Sequence, residues 1–495
     1  MCAALQPPAQ VRAGIARPTG SVRFAASPSI SDGVNVSDQG APAPRRVLST
    51  LDGVTLVVGL VLGAGIFRAP QMVAAGTSSD AAFLALWVLG GLVSLIGALC
   101  YAELAATYPN AGGEYHFLTR AFGRPAGFLC AWSRMAVIQT GSIAILAFVV
   151  GDYAAALYGP GPASAWLPAV AAAAVVVALT ALNIVGLRQG TGTQYALTTL
   201  EVLGLCAIIA AGFFGPAAAP PPASAPAGEG PGIGLAVVFV LLTFGGWSEA
   251  AYLSAELRDR RRGVVRTLAW GLGVITLLYL LANAAYLRAL GHSGLAASEA
   301  VGADVMRQAA GGLGAAAVGL VVIVAALSSA NATMITGARS NYALGRDIPL
   351  FGFLGGWHEV GSTPKAAFLL QGAIALALVA FGALARSGFE AMVAYTAPVF
   401  WLILLGTGAS LIALRRRDPA ADRPFRVPLY PLTPLLFCAI AGYMLYSSVA
   451  YAGRGAFLGL AVMLAGLPLL ALAGSRQTTP APHSPPVPRG APWAP

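Results

Sequence analysis

The stretch Gly63-Ala64-Gly65-Ile66-Phe67-Arg68-Ala69-Pro70 decides how the rest of the chain is read. It interrupts the first strongly apolar run, Val54 to Ala74. A run of that length crosses a bilayer as one helix. Yet it holds two glycines within three residues, then an arginine and a proline. Glycine loosens a helix, and proline removes a backbone donor. In hydrocarbon, a freed backbone group is costly unless protein, water or ligand satisfies it. A break at membrane depth is therefore either an accident or a site.

Composition fixes the solvent. The 495 residues are 57% hydrophobic and 10% charged, with a mean hydropathy of +0.74. A soluble protein carries about 25% charged residues. This chain lacks the charge to cover a soluble surface and reads as an integral membrane protein. Its net charge of +10 calls for no nucleic acid, because the charges sit in short loops between apolar runs. Cys2, Cys100, Cys130, Cys206 and Cys438 form no CxxC pair and read as small core residues. His116, His292, His358 and His483 are scattered, with no HExxH, so neither a metal site nor a cofactor is expected.

Residues 1–46 are rich in Ala, Pro, Ser and Gly and hold five arginines. They lack the continuous apolar segment of a signal peptide and read as a disordered cytoplasmic tail. The Pro-rich residues 475–495 read as a second such tail. Between them, residues 47–474 hold twelve apolar runs: Val54–Ala74, Ala82–Thr107, Pro125–Asp152, Trp166–Leu187, Gln194–Gly215, Ile233–Ala255, Val264–Leu290, Leu313–Gly337, Ala366–Ala385, Phe389–Leu414, Leu432–Ala450 and Ala456–Gly474. With the N-terminus inside, the cytoplasmic segments hold 23 of the arginines and lysine, against four outside: Arg288, Arg307, Arg386 and Arg454. That bias orients the chain with both termini cytoplasmic.

The sixth run is broken too, at Thr243-Phe244-Gly245-Gly246-Trp247-Ser248-Glu249. Runs one and six each open a block of five. Five is odd, so the second block enters the membrane inverted. Glycine is common in membrane helices for packing reasons, and one break would mean little. Matched breaks in two inverted halves, about 54–215 and 233–414, point to a transporter site.

Six segments then resemble one family over about Leu48 to Gly474. Gly63-Ala64-Gly65-Ile66-Phe67 is similar to the first-helix G-[SA]-G-I-F of the amino acid–polyamine–organocation (APC) superfamily. Tyr101-Ala102-Glu103-Leu104, Pro109 and Gly112-Gly113-Glu114-Tyr115 resemble its Y-A-E-L…P…G-G-E-Y. Phe244-Gly245-Gly246-Trp247 resembles its F/Y-G-G-W, and Arg423-Pro424-Phe425-Arg426-Val427-Pro428 its R-P-F-[KR]-V-P. Glu256-x-x-Asp259 with Arg262 and Arg266 resembles a loop motif whose two prolines are missing here, and Arg339 to Pro349 a slightly compressed R-x-x-Y-A-x-x-R-D-x-x-P. The resemblance is closest to the L-type amino acid transporters and their bacterial relatives. It implies an all-α membrane fold of twelve helices: a five-plus-five inverted repeat, unwound in helices 1 and 6, plus two C-terminal helices.

The resemblance implies amino acid transport across an inner membrane by alternating access, with no covalent reaction. A cationic amino acid or polyamine antiporter, and a non-transporting sensor or scaffold, stand as alternatives. A half-helix N-terminus is an anion site, so the amides of Ala64, Gly65 and Ile66, beside Gly63, are candidates for the substrate carboxylate. Carbonyls near Leu62, Thr243 and Phe244, beside Gly245 and Gly246, are candidates for its ammonium. Phe244 and Trp247 are either a gate or core aromatics, and Leu242 stands where the family often has an aromatic gate. Arg68 either pairs with Glu390 as an outer gate or snorkels to the surface. Glu201 stands where L-type relatives carry a lysine. It binds a proton, or a sodium ion with Ser328 and Ser329, or is a structural carboxyl. Glu249 is a further intramembrane carboxylate, and Arg134 faces a cavity or an acid. Glu103 and Glu114 are expected to pair with loop arginines. Mammalian L-type proteins join a glycoprotein through an external cysteine. None lies between Asp152 and Trp166 here, so no such partner is expected.

Overall fold

The computed structural model describes residues 50–108, 113–158, 166–185, 191–217, 232–248, 262–356, 363–385, 387–451 and 453–475. These are helical, as the apolar runs require: in lipid, a helix satisfies its own backbone. The first apolar run is three pieces. α1 spans Thr50–Val61, a 3₁₀ turn spans Ala64–Phe67, and α2 spans Ala69–Ala75. Pro70 sits in the first turn of α2, where its missing N–H has no acceptor to lose. Next come α3 (Asp80–Thr107), α4 (Glu114–Phe122), α5 (Arg124–Ser133), a π-helical turn (Arg134–Ile138), α6 (Gln139–Tyr158), α7 (Leu167–Val185) and α8 (Thr191–Phe214). The second half holds α9 (Gly232–Thr243), α10 (Arg262–Ala297), α11 (Val301–Asp347), α12 (Lys365–Ala383), α13 (Gly388–Arg417), α14 (Leu432–Tyr451), α15 (Gly453–Leu464) and α16 (Gly466–Ser475).

Among the described residues, eight helices are long and apolar enough to cross a membrane. They fall on the second, third, fourth and seventh to eleventh apolar runs. Shorter apolar helices at Thr199–Phe214, Gly232–Thr243 and Gly455–Ala471 fall on the fifth, sixth and twelfth. Two boundaries differ from the sequence reading. Helix α11 starts at Val301, not near Leu313, and turns at Gly311, where φ is +67°. The segment reaching Ala297 likewise continues α10 past Gly291, where φ is +68°. Hydropathy falls there, but polarity does not stop a helix; only the left-handed glycines redirect it.

Packing brings the breaks to the centre. Helix α10 packs along α1, α2, α3 and α8, while α11 packs on α6, α8 and the 3₁₀ turn. Helix α9 packs on α2 and touches the 3₁₀ turn. The two interrupted segments therefore lie side by side.

Candidate functional site

Helix α1 ends at Val61, and Gly63 is extended (φ −136°, ψ −177°) before the 3₁₀ turn begins. The first amides of that turn, at Ala64 and Gly65, have no intrahelical acceptor by geometry. Helix α9 ends at Thr243. The chain then turns through Phe244, Gly245 and Gly246 before resuming at Trp247. Gly246 has φ +97°, a conformation that favours glycine. Phe244 N–H donates to Val240 O at 3.1 Å, and Gly245 N–H to Leu242 O at 2.9 Å.

The breaks touch. A Cβ placed on Gly65 would stand 3.2 Å from Thr243 Cγ2 and 3.3 Å from its Cα and Oγ1. A side chain at this position would need Thr243 to give by a few tenths of an ångström.

Sequence reasoning missed the residue that joins them. The Tyr279 hydroxyl lies 3.0 Å from Val61 O and 3.2 Å from Thr243 O. One hydroxyl proton is thus shared between the carbonyls that end the two half-helices. Tyr286 reaches Ile66 O at 3.4 Å, and Tyr153 reaches Phe67 O at 2.9 Å. All three tyrosines are fully buried. The sequence signal was Tyr279-x-x-x-Asn283-x-x-Tyr286, a polar stripe at helical spacing inside an apolar run. The Thr243 carbonyl, a candidate for the substrate ammonium, is therefore already an acceptor, on an oxygen that has two lone pairs.

Phe244 and Trp247 are packed, not projecting. Phe244 meets Trp87 and Tyr279 at 6.3 and 5.0 Å between ring centres, and Trp247 meets Tyr101 and Phe437 at 5.1 and 6.1 Å. Glu201 on α8 is buried and within electrostatic reach of Tyr279. Its helix packs on α11, which carries the buried Ser328 and places Ser329 Oγ 4.0 Å from a Cβ built on Gly63. Glu249 and the Glu256–Asp259 motif lie outside the described residues.

Arg68 differs from the sequence reading. It is 3% exposed, so it does not snorkel, and its ion pair is with Asp152, not Glu390. Arg68 Nε donates to Asp152 Oδ2 at 3.2 Å and Nη1 to Gln71 Oε1. Asp152 on α6 takes that place, while Glu390 remains within electrostatic reach of Arg68. The guanidinium also lies 5.5 Å from the Phe389 ring centre.

At the opposite end, Glu103 is fully buried against Arg415, which donates from Nε at 2.6 Å. Val427 N–H adds a bond at 2.6 Å, and Arg423 stands 3.7 Å away. Glu114 pairs with Arg134, from the π-helical turn, and Tyr101 O–H donates to it at 2.8 Å. That turn was not legible in the sequence, since Arg134-Met135-Ala136-Val137-Ile138 has no helix breaker. It leaves Ala136 O to accept from Tyr395 at 2.9 Å.

Residues 48–467 match a family model described as amino acid permease. The chain is 28% identical to the b(0,+)-type amino acid transporter 1 of Mus musculus over 415 residues, covering 82% of this chain and 83% of the relative. It is 28% identical to the large neutral amino acids transporter small subunit 2 of Homo sapiens over 445 residues, covering 88% and 81%. To the Asc-type amino acid transporter 1 of Mus musculus it is 28% identical over 442 residues, covering 87% and 81%. With two broken backbones meeting in its centre, this multi-pass membrane chain belongs to the amino acid permease family of the APC superfamily, close to the L-type branch.

Proposed function

We propose that the chain moves α-amino acids across a membrane by alternating access, binding them between the two backbone breaks. One observation carries this reading: Gly65 and Thr243 are in contact, and Tyr279 shares its proton between the carbonyls on either side. Amides at the start of the 3₁₀ turn suit a carboxylate, and carbonyls at the ends of α1 and α9 suit an ammonium. Backbone recognition of this kind takes any α-amino acid and leaves the side chain to the surrounding walls.

The finer architecture belongs to the same reading. Twelve spans form a five-plus-five inverted repeat with two further helices. The arginine-rich loops and both termini face the cytoplasm, and the bilayer is an inner membrane. The chain works without a glycoprotein partner. Glu201, with Ser328 and Ser329, is the candidate coupling site, for a proton in the first place and sodium in the second. In proteoliposomes, a panel of radiolabelled amino acids with and without a pH gradient tests substrate and coupling together. Absence of uptake for every amino acid would refute transport. Glu201→Gln is expected to abolish pH-driven uptake and spare exchange; an unchanged pH dependence would remove the proton from that site.

Tyr279→Phe probes the clasp with one atom removed. The lost hydrogen bond leaves two buried carbonyls short of a donor, a cost of about 1–3 kcal/mol. Uptake should fall roughly tenfold, each 1.4 kcal/mol being a factor of ten. Wild-type rates in the variant would show that the hydroxyl does not hold the breaks.

A further inference from the structure

Away from the breaks, at the end of the bundle opposite the arginine-rich loops, His292 has acceptors at both ring nitrogens. It follows Gly291, the left-handed glycine that redirects α10. Its Nδ1 stands 3.0 Å from Asp80 Oδ1, and its Nε2 stands 2.9 Å from both Ala74 O and Thr77 O. The ring meets the buried Phe83 edge to face, with 6.3 Å between centres. A carbonyl oxygen only accepts, and so does a carboxylate. A neutral imidazole donates from one nitrogen and turns a lone pair outward at the other. Whichever tautomer it takes, one side then sets lone pair against lone pair. Only the doubly protonated ring satisfies both sides at once.

The acceptors belong to separate pieces. Ala74 O is among the last carbonyls of α2, the seven-residue half-helix that follows the first break, and such carbonyls are short of intrahelical partners. Thr77 closes the turn behind it: its N–H donates to Ala74 O at 3.2 Å and its hydroxyl to Val73 O at 2.9 Å. Asp80 opens α3. One ring thus fastens the far end of α2 to α3 and to α10. The near end of α2 hangs on the broken backbone, through an extended Gly63 and a single 3₁₀ turn. A proton on His292 therefore decides whether a short, hinged half-helix is held at one end or at both.

Helix α2 itself carries no charge, and the next charged residue of α3 after Asp80 is Glu103, at its other end. On α10, Arg288 is exposed, one turn before His292 and across the Gly291 bend. Where α10 gives way to α11, Asp304 pairs with Arg307, and Glu299 lies within electrostatic reach of Asp152. Helices α1 and α8, which also pack on α10, carry Asp52 at the opposite end of the first span and Glu201 near Tyr279. Two charged residues outside the described ones flank this end in the chain. Arg386 precedes α13, whose Glu390 is within reach of Arg68. Glu229 precedes Gly232, whose carbonyl would stand 3.1 Å from a Cβ on Gly76.

We propose that His292 is a proton-operated clasp on the outer half of the first span, a positioning residue for transport. Charged, it pins α2 to α3 and α10 and slows the movement of the broken span. Neutral, it releases one side, and the span moves faster. The proposal rests on the transport reading above. It needs no proton gradient and no change at Glu201, because the clasp responds to pH at its own site.

Two measurements on the full-length protein test it. In nanodiscs, backbone hydrogen exchange of residues 72–78 is compared between wild type and His292→Gln at the same pH, so that intrinsic exchange cancels. Histidine changes charge between about pH 5 and 8. At the acid end the wild type should exchange roughly fivefold more slowly than His292→Gln, the value of one net hydrogen bond; at the alkaline end the two should agree. Asp80→Asn should behave like His292→Gln, and Glu229→Gln like the wild type. The Asp80 side chain is 64% exposed, so its replacement leaves the core alone. In proteoliposomes with equal pH inside and out, exchange of radiolabelled leucine or arginine should be several-fold slower in the wild type than in His292→Gln at the acid end only. Equal protection of residues 72–78 in the two proteins at acid pH overturns the clasp, as does a pH step removed by Glu229→Gln and kept by Asp80→Asn. Protection without a matching change in flux overturns its effect on transport. Absence of flux for every amino acid would sink the transport reading, while hydrogen exchange still decides the clasp.

Discussion

Gly65→Leu is expected to lower uptake by a hundredfold or more while the protein still assembles in the membrane. The position is tight: even a methyl group would stand 3.2 Å from Thr243 Cγ2 and 3.3 Å from the Thr243 Cα. The neighbour it meets is Thr243, through both its side chain and its backbone, a short β-branched residue at the end of α9 with little freedom to move aside. Leucine would push the two breaks apart and cover the Gly65 amide, a candidate carboxylate donor. Losing one hydrogen bond to a charged group costs about 1.5–3 kcal/mol, and the overlap adds to that. A total of about 3 kcal/mol corresponds to more than a hundredfold. Gly65→Ala should fall between, since a shift of a few tenths of an ångström accommodates it. The measurement is the initial uptake rate per reconstituted protein, with monodispersity in detergent as the check on assembly. Leucine-variant rates within threefold of wild type would show that the breaks do not hold the substrate.

Glu103→Ala should have the largest effect on stability. Glu103 is fully buried, receives Arg415 through Nε and Nη2, and accepts from Val427 N–H at 2.6 Å. Arg423 adds a fourth donor group nearby. The network joins the end of α3 to the end of α13 and to the segment that follows it. Removing one partner from a buried ion pair costs about 3–5 kcal/mol, because the other charge is left uncompensated. The thermal midpoint in detergent should fall steeply. Glu103→Leu combined with Arg415→Leu should recover much of the loss, since well-packed apolar groups replace such pairs at little cost. A midpoint for Glu103→Ala indistinguishable from wild type would show that the pair contributes little; in a chain of this size each kcal/mol moves the midpoint by only about one degree.

The membrane class, the run of helices and the two breaks were legible in the sequence because they are local properties. Hydrophobicity sets whether a segment enters lipid, and paired glycines mark where a helix stops, whatever surrounds them. The candidate backbone site followed from the same local cues at Gly63–Ile66 and Thr243–Trp247. Local cues failed wherever two distant residues had to meet. Charge and side of the membrane offer Arg68 either Glu390 or the surface, but Asp152, 84 positions along the chain, is its partner. Arg134 could face a cavity or an acid by its sequence; a π-helical turn with no sequence signature brings it to Glu114. Tyr279 lies 218 positions from Val61 and 36 from Thr243, yet one hydroxyl reaches both carbonyls. Such pairings depend on which faces of packed helices oppose each other, and a chain read residue by residue does not carry that information. The sequence by itself determined that the backbone must break in the membrane and where. Only the tertiary structure decided what holds the broken ends together, because a freed carbonyl in a dry interior takes its donor from whichever helix packs beside it.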